Sequence, residues 1–211
     1  PSDMGGLVFD QLAVAELNGD QQLDLLGTGS DGIRIIQNTI TIDPLTFELS
    51  SALAVTGILP MPAPVDSLVV DDFDKDGRTD LLVSAGVGVL LRGAGNATFL
   101  ESAFLDPAPV SIIVAGDVNG DGWLDAITPG ASGLSVHINP AGIPPTNWTG
   151  IPLLTGGPVL DLAVTEVDGN PAHVDDIVII QDSSDPLVLI RRLSQELGDS
   201  EVVPLPFEGD P

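Results

Sequence analysis

The stretch Val69–Val83, which reads VVDDFDKDGRTDLLV, decides the fold. An apolar run leads into an acidic loop, and a second apolar run begins at the aspartate that closes the loop. Val, Leu and Thr favour strands, whereas Asp and Gly favour the tight turn between them. The stretch therefore predicts two strands joined by a loop with carboxylates at loop positions 1, 3, 5 and 9, which are Asp72, Asp74, Asp76 and Asp80.

The same pattern occurs four times in the chain. AVAELNGDQQLDLLG starts at Ala13, IVAGDVNGDGWLDAI at Ile113 and AVTEVDGNPAHVDDIVI at Ala163. In each unit the loop is followed by a strand, a Gly-rich or Asp-rich turn, a second strand and a looser stretch. Four short strands in a repeat of about 40–50 residues are typical of a β-propeller blade.

We therefore predict an all-β fold, a β-propeller of four-stranded blades with four blades visible. The repeats cover approximately residues 7–56, 57–106, 107–156 and 157–211 of a single array. Because each blade buries both faces against its neighbours, the array is either a small closed propeller or part of a larger one. The chain begins at Pro1 without an initiator methionine, so we expect a processed or excised piece.

The composition limits the classes of partner. Acidic residues outnumber basic ones 31 to 6, and the formal net charge is −25. Phosphate backbones and anionic lipids would repel such a chain, so we predict no nucleic-acid partner. The apolar runs are too short for the roughly 20 residues of a membrane helix, so we predict no membrane insertion. The absence of cysteine excludes a disulfide scaffold, a thiolate zinc site and a cysteine nucleophile.

The spacing of the acidic loops predicts metal sites. Alternate side chains on a tight turn can converge, and Ca²⁺ takes 6–8 oxygen ligands, whereas Mg²⁺ demands a smaller octahedron. A glycine at position 6 permits the sharp reversal, and the backbone carbonyl of position 7 adds an oxygen. The candidate ligands are Glu16, Asn18, Asp20 and Asp24 in loop 1; Asp72, Asp74, Asp76, Arg78 and Asp80 in loop 2; Asp117, Asn119, Asp121, Trp123 and Asp125 in loop 3; and Glu166, Asp168, Asn170 and Asp176 in loop 4.

Loops 1 and 4 depart from the pattern. In loop 1 the glycine of position 6 is replaced by Gln21, so we expect weaker calcium binding there. In loop 4 the residues Pro171, Ala172 and His173 intrude, and the closing acid is either Asp175 or Asp176. Whether loop 4 binds metal stays open at this point.

The pattern D-x-[DN]-x-D-G-x-x-D between two strands resembles the FG-GAP/VCBS-type repeat, which forms β-propellers in integrin α subunits and in many secreted bacterial proteins. An EF-hand is a poorer match, because it needs Glu at position 12, where Val83 and Thr128 stand. The resemblance implies calcium in the loop between the first two strands of a blade. It also favours a complete propeller of seven or eight blades.

Few residues are candidates for catalysis. The chain has no tyrosine, and its histidines, His137 and His173, lie on unlike segments. His137 alternates with apolar residues, which favours a polar strand position. Trp123 and Trp148 could form a platform for a sugar, although blade packing is the simpler role for Trp148. We therefore predict that the chain is not an enzyme by itself.

These observations favour a calcium-rigidified interaction module that binds a protein or glycan ligand. Millimolar calcium outside cells suits weak loop sites, so an extracellular, cell-surface or periplasmic location is expected. One alternative is a domain of a secreted polysaccharide-degrading enzyme. Another is a structural subunit of a surface assembly.

Overall fold

The computed structural model describes residues 8–105, 110–130, 133–141, 148, 150–155, 157–167, 174–182, 187–192 and 200–204. These residues form sixteen strands in four antiparallel sheets, and each sheet contains four strands in chain order. We call the sheets blades 1 to 4. The predicted all-β fold of four-stranded blades is confirmed, and none of the four sheets closes on itself in the described part of the chain. Among the described residues there is no helical segment with the length and apolar composition of a membrane span.

The strands contain between three and eleven residues, and each blade has four of them. Blade 1 contains β1 (Leu12–Ala15), β2 (Asp24–Gly29), β3 (Gly32–Ile42) and β4 (Leu49–Leu59). Blade 2 contains β5 (Ser67–Asp71), β6 (Asp80–Ser84), β7 (Gly88–Gly95) and β8 (Thr98–Phe104). Blade 3 contains β9 (Val114–Gly116), β10 (Asp125–Gly130), β11 (Gly133–His137) and β12 (Gly150–Leu154). Blade 4 contains β13 (Val159–Thr165), β14 (Asp176–Gln181), β15 (Leu187–Arg192) and β16 (Ser200–Pro204).

The acidic loops all connect the first strand of a blade to its second strand. Loop 1 runs from β1 to β2, loop 2 from β5 to β6, loop 3 from β9 to β10 and loop 4 from β13 to β14. The second strand of the blade, which follows the loop, lies in the protein interior. In blade 2, every residue of β6 is buried, because neighbouring blades cover both faces of the sheet. A strand buried on both faces is apolar throughout rather than alternating, which explains the runs that follow the closing aspartates.

In the described part of the chain, the hydrophobic core forms three layers, one between each pair of consecutive blades. The layer between blades 1 and 2 contains Leu26, Ile33, Ile35, Leu68, Leu81 and Val83. The layer between blades 2 and 3 contains Phe73, Leu82, Leu90, Ile113, Ala126 and Trp148. The layer between blades 3 and 4 contains Val118, Ile127, Val136, Leu162, Ile177 and Ile179.

Hydrogen bonds across the blade boundaries fix how the blades meet. The side-chain amide of Gln11 both donates to the carbonyl of Leu68 (3.3 Å) and accepts from its N–H (3.0 Å). The hydroxyl of Ser67 does the same with Ile113, at 3.1 and 3.2 Å. Gln11 and Ser67 both lie five residues before their loops. The same position of the repeat therefore binds the backbone of the next blade in both cases.

Candidate metal loops and an adjacent groove

Loop 2 brings three carboxylates together. Asp72, Asp74 and Asp80 each offer one oxygen, and these oxygens lie within 4.8 Å of one another. Asp72 and Asp74 are half-buried on the turn, whereas Asp80 is fully buried at the start of β6. Ca²⁺ bonds oxygens at about 2.3–2.6 Å, so oxygens up to about 5 Å apart can share one ion. The group is thus able to hold a metal ion of that size.

The turn of loop 2 is organised by its own carboxylates. Asp72 accepts hydrogen bonds from the backbone N–H of Asp76 (3.0 Å) and of Gly77 (2.8 Å). Asp76 in turn accepts from the N–H of Arg78 at 2.9 Å. Gly77 has φ of +82°, a left-handed conformation that glycine adopts without steric cost. The charges at positions 1 and 5 therefore shape the loop as well as being available to a cation.

Two arginines lie beside loop 2, and the sequence pattern had pointed to only one of them. The guanidinium of Arg92, from β7, donates to the carboxylate of Asp74 and lies 3.6 Å from Asp76 Oδ2. Arg78 Nη1 lies 3.7 Å from the same oxygen and donates to the carbonyl of Gly93 at 3.3 Å. These cations offset part of the loop's negative charge, and a bound dication would share Asp74 with Arg92.

Loop 3 repeats the turn of loop 2. Asp117 accepts a hydrogen bond from the N–H of Gly122 (2.7 Å), as Asp72 does from Gly77. Asn119 Oδ1 accepts from the N–H of Asp121 at 2.9 Å, and Asp121 accepts from that of Trp123 at 2.8 Å. Because asparagine replaces aspartate at position 3, this loop offers one negative charge fewer than loop 2.

Loop 1 keeps the same turn with different residues. Glu16 Oε1 accepts from the N–H groups of Asn18 (2.9 Å) and Asp20 (3.2 Å), and Asn18 Oδ1 accepts from Asp20 at 2.9 Å. Gln21 stands where Gly77 stands in loop 2 and adopts φ of +65°. A residue with a β-carbon loses roughly 1–2 kcal/mol in this conformation. The loop therefore forms at a local cost that loop 3 avoids with Gly120 and Gly122, whereas loop 2 has a comparable cost at Lys75, whose φ is +57°.

The closing aspartates have a second role that their spacing did not reveal. All four are fully buried: Asp24, Asp80, Asp125 and Asp176. Each accepts a hydrogen bond from the N–H of the second residue of its own loop, and these donors are Leu17 (3.3 Å), Phe73 (2.9 Å), Val118 (3.3 Å) and Val167 (3.2 Å). In blades 1 to 3 the other carboxylate oxygen accepts from a backbone N–H within the third strand, that of Asn38 (2.8 Å) or Gly93 (2.8 Å), or just after it, that of Asn139 (2.9 Å). The closing aspartate therefore ties its loop to the third strand.

Burial changes the acidity of these groups. It raises the pKa of Asp80 to about 6, against the lowering effect of the N–H of Gly93. It raises the pKa of Asp125 to about 7, against the lowering effect of the N–H of Asn139. A desolvated carboxylate lacks the hydration that stabilises its charge. A cation in the loop would replace part of that hydration and favour the ionised form.

The two candidate closing acids of loop 4, Asp175 and Asp176, make different contacts. Asp176 occupies the closing position, since it binds the N–H of Val167. Asp175 crosses to blade 3, where its carboxylate accepts from the N–H of Asp117 (2.9 Å) and its own N–H donates to the carbonyl of Asp117 (2.9 Å). Glu166 lies at the start of the loop. The predicted ligands Asp168 and Asn170 lie outside the described residues.

A groove of about 280 Å³ opens between loop 1 and the hairpin that joins β7 to β8. Its walls include Asn18 from loop 1, Arg78 from loop 2, and Asn96, Thr98 and Phe99 from the hairpin. The groove thus combines amide, hydroxyl and guanidinium groups with one aromatic ring. Sequence reasoning missed it because its walls come from two different repeats.

Comparison with known proteins bears on the two best-formed loops. Residues 72–128 match the family model of the FG-GAP-like repeat. This FG-GAP-like segment contains loops 2 and 3, so the resemblance expected from their spacing is confirmed there. No curated protein matches the chain.

The fold of the chain is similar to that of an Agrocybe aegerita lectin whose structure describes specific recognition of non-reducing terminal N-acetylglucosamine. The TM-score is 0.62 and the sequence identity 15%, so the likeness concerns the fold. The alignment covers 92% of this chain and 52% of the lectin chain. The four blades therefore span about half the length of that lectin.

The tryptophans lie near the FG-GAP-like loops but in different environments. Lys75 Nζ lies 4.3 Å from the centroid of the Trp123 ring, a cation–π contact that joins loops 2 and 3. Trp148 is buried between blades 2 and 3, and its ring meets that of Phe73 edge to face at 6.4 Å. The expected packing role of Trp148 is confirmed, whereas Trp123 is half-buried beside a cation.

The structure describes one of the two histidines, His137. His137 is buried in β11, and its Nε2 lies 3.1 Å from the hydroxyl of Thr128 on the adjacent strand. This contact agrees with the expected role of a polar strand residue. His173 lies outside the described residues.

Proposed function

We propose that the chain is a calcium-binding recognition module with no catalytic activity of its own. The observation that carries the proposal is the convergence of Asp72, Asp74 and Asp80 in loop 2. Loops 1 and 3 support it, because they share the turn. Both have asparagine at position 3, Asn18 and Asn119, and loop 1 also differs by Glu16 at position 1 and Gln21 at position 6. The ligands are the residues that the loop spacing predicted.

The donor set favours calcium over other metals. The ligating groups of the loops are carboxylate, amide and carbonyl oxygens, which suit a hard cation. The exposed side of each turn allows water to complete the 6–8 ligands of Ca²⁺. Loops 1 to 3 each connect the first strand of a blade to its second strand. Calcium bound in these loops would stiffen them, and loops 1 and 2 contribute residues to the groove wall.

The hydrogen bonds that the acidic side chains make to the backbone support the absence of catalysis. Glu16, the acid that lines the groove, accepts hydrogen bonds from three backbone N–H groups through one oxygen. Asp80 and Asp125 are buried and hold the backbone. These acids are therefore poorly placed to move protons on a substrate.

The groove beside loop 1 supports a glycan as the ligand. Its volume suits a single sugar ring, and Phe99 provides an apolar surface against which such a ring can lie. Asn96 and Arg78 provide donors for hydroxyl or amide groups of the sugar. The similar fold of a lectin that recognises terminal N-acetylglucosamine is consistent with this assignment. We accordingly propose a terminal sugar as the recognised group.

The proposed location is outside the cytosol, at the cell surface, in the medium or in a periplasm. Loop sites open to water bind calcium with dissociation constants of about 10⁻⁴–10⁻³ M in extracellular modules. Such sites fill in millimolar calcium and stay empty in the cytosol. The net charge of −25 also keeps an exported chain soluble.

Two measurements test the proposal. Calorimetric titration of the chelator-treated chain with CaCl₂ should show binding, and equimolar MgCl₂ should bind more weakly. A glycan array probed with and without chelator should then show binding to sugars with N-acetylglucosamine at the non-reducing end. Phe99→Ala should abolish the glycan signal, whereas Phe47→Ala, an exposed change in the β3–β4 hairpin, should preserve it. The proposal would be refuted if the chain bound neither calcium nor any glycan.

A further inference from the structure

Two of the four repeats have aspartate at loop position 3, and the other two have asparagine. Loops 2 and 4 have Asp74 and Asp168 there, whereas loops 1 and 3 have Asn18 and Asn119. The other predicted side-chain ligands of the loops are mostly carboxylates, so aspartate at position 3 adds a further negative charge to an acidic turn. Like charges a few ångströms apart repel one another unless a cation lies between them.

The strand pairing places one residue of the third strand opposite each closing aspartate. In blade 2, Leu91 pairs with Leu81, so the next position of the two strands sets Arg92 opposite Asp80. The same register position exists in the other blades, because the first residue after each closing aspartate is paired in the same way. The residues at this position in blades 1 to 4 are Gln37, Arg92, Ile138 and Arg191.

Arginine stands at this register position in the two repeats that have aspartate at loop position 3. Blade 2 combines Asp74 with Arg92, and blade 4 combines Asp168 with Arg191. The two blades that have asparagine in the loop have an uncharged residue on the third strand. Two positions that change together in this way are expected to lie in contact.

Blade 2, where the structure describes both side chains, shows that contact. Nε and Nη2 of Arg92 both contact Oδ2 of Asp74, and Nη2 lies 3.6 Å from Oδ2 of Asp76. The second oxygen of Asp74, Oδ1, accepts the backbone N–H of Asp76 at 3.1 Å. The side chain of Asp74 is 9% exposed. Water therefore solvates little of this carboxylate, and the guanidinium of Arg92 supplies the opposite charge that it needs.

We propose that Arg92 is an internal counter-cation that lowers the calcium affinity of loop 2. The inference rests on the proposed function, since it takes calcium to bind at Asp72, Asp74 and Asp80. Without metal, Arg92 balances the charge of Asp74 and helps the loop to keep its shape. A calcium ion must either displace the guanidinium or share Asp74 with it, and both cost binding free energy. Loop 2 therefore binds calcium more weakly than its carboxylates alone would.

Arginine suits this role better than the other cations of the region. Its guanidinium stays charged and binds a carboxylate through a rigid set of donors. Arg78 is half exposed and donates to the carbonyl of Gly93 at 3.3 Å. Lys75 Nζ lies 4.3 Å from the centroid of the Trp123 ring. Among the described contacts, the ion pair of Asp74 is the one with Arg92.

The test is calorimetric titration with CaCl₂ of a full-length chain in which only loop 2 keeps all its ligands. Asp20→Ala, Asp121→Ala and Asp168→Ala together remove one predicted ligand from each of the other loops and give this background chain. Adding Arg92→Gln to the background should lower the calcium dissociation constant at least about tenfold, because a positive charge beside the ion is lost. Adding Arg92→Lys instead keeps the charge and should leave the dissociation constant close to that of the background.

The matched control for this titration is Arg34→Gln. Arg34 lies in β3 of blade 1 and pairs with Asp31 at 2.6 Å. The control therefore removes the same type of side chain, the same charge and one ion pair, but outside loop 2. It should leave the calcium dissociation constant unchanged. An equal gain in affinity from Arg34→Gln would overturn the inference, because net charge alone would then explain the effect.

A measurement without calcium tests the counter-cation separately. In excess chelator, Arg92→Gln should lower the melting temperature of the otherwise unchanged chain by about 2–4 °C, because Asp74 loses its partner. The same change should lower it less in a chain with Asp74→Asn, where position 3 has no charge to balance. Saturating calcium should also reduce the loss, since the dication replaces the missing positive charge. This crossed response would not arise from a loss of packing alone.

The outcomes distinguish the inference from the proposed function. If the background chain binds calcium and Arg92→Gln binds it equally or more weakly, the counter-cation is refuted while the calcium site stands. If neither chain binds calcium, the metal site of loop 2 is refuted. Additive losses of stability from Arg92→Gln and Asp74→Asn in chelator would refute the pairing itself, whatever the result of the titration.

Discussion

Asp125 accepts a hydrogen bond from the backbone N–H of Val118 (3.3 Å), seven residues earlier, while its other oxygen accepts from the N–H of Asn139 (2.9 Å). The carboxylate is fully buried, and burial raises its pKa to about 7. A group in this position would be costly unless it satisfied buried donors. The aspartate that the sequence predicts as a metal ligand is therefore also a structural clamp.

The first prediction follows from the clamp. Asp125→Ala should destabilise the chain by about 2 kcal/mol or more even without metal, because it leaves two buried N–H groups without their acceptor. For a chain of this length that corresponds to a melting temperature lower by about 4–8 °C. The measurement is thermal unfolding in excess chelator, followed by circular dichroism.

The matched control for the clamp is Asp121→Ala in the same loop. Asp121 is exposed, so in chelator its removal should change stability by less than about 1 kcal/mol. If Asp125→Ala lowered stability in chelator as little as Asp121→Ala does, the clamp would be refuted and Asp125 would act only through the metal.

A second prediction concerns calcium and stability. At ten times the dissociation constant, each occupied loop adds about 1.4 kcal/mol, so loops 1 to 3 together add about 4 kcal/mol. The melting temperature should therefore rise by roughly 10 °C between chelator and saturating calcium. Differential scanning calorimetry measures this shift, and magnesium at the same concentration should give a smaller one. An unchanged melting temperature would count against metal sites in the loops.

A third prediction ranks the loops. Asp74→Ala and Asp121→Ala each remove a charged ligand from a well-formed loop and should abolish one calcium equivalent in titration calorimetry. Asp168→Ala should have a smaller effect, because loop 4 has an irregular spacing. Asp66→Asn, which changes an exposed acid outside the loops, serves as the control for lost charge alone. The reverse order would show that loop 4 has been aligned wrongly with the others.

A fourth prediction tests how closely blades 3 and 4 pack. A β-carbon at Gly116 would overlap Cγ1 of Val164, on the first strand of blade 4. Gly116→Ala should therefore lower stability by about 1–3 kcal/mol, as overpacking of a core does. Val164→Ala removes the opposing methyl groups, so the double variant should recover part of the loss. Urea unfolding of the two single variants and the double variant gives this coupling directly, and strict additivity would argue against the contact.

The local features of the blades could be predicted from the sequence. Alternating and apolar runs bounded by Gly, Pro and Asp predicted the sixteen strands, and the repeat predicted their grouping in fours. The turn of loop 2 was predictable for the same reason: Asp72, Asp76 and Gly77 are neighbours in the chain, and their hydrogen bonds span at most five residues. Local backbone geometry depends on nearby residues, so a single sequence contains that information.

Contacts between distant parts of the chain were decided only by the tertiary structure. The spacing could not show that Asp80 binds the N–H of Gly93, that Arg92 reaches Asp74, or that the groove joins two repeats. Nor could it show that Leu12 is exposed while Leu68, at the same place in the repeat, is buried. Equivalent residues have the same local preferences, and they differ only in whether another blade lies against them. That difference is a property of packing, which arises when the whole array has folded.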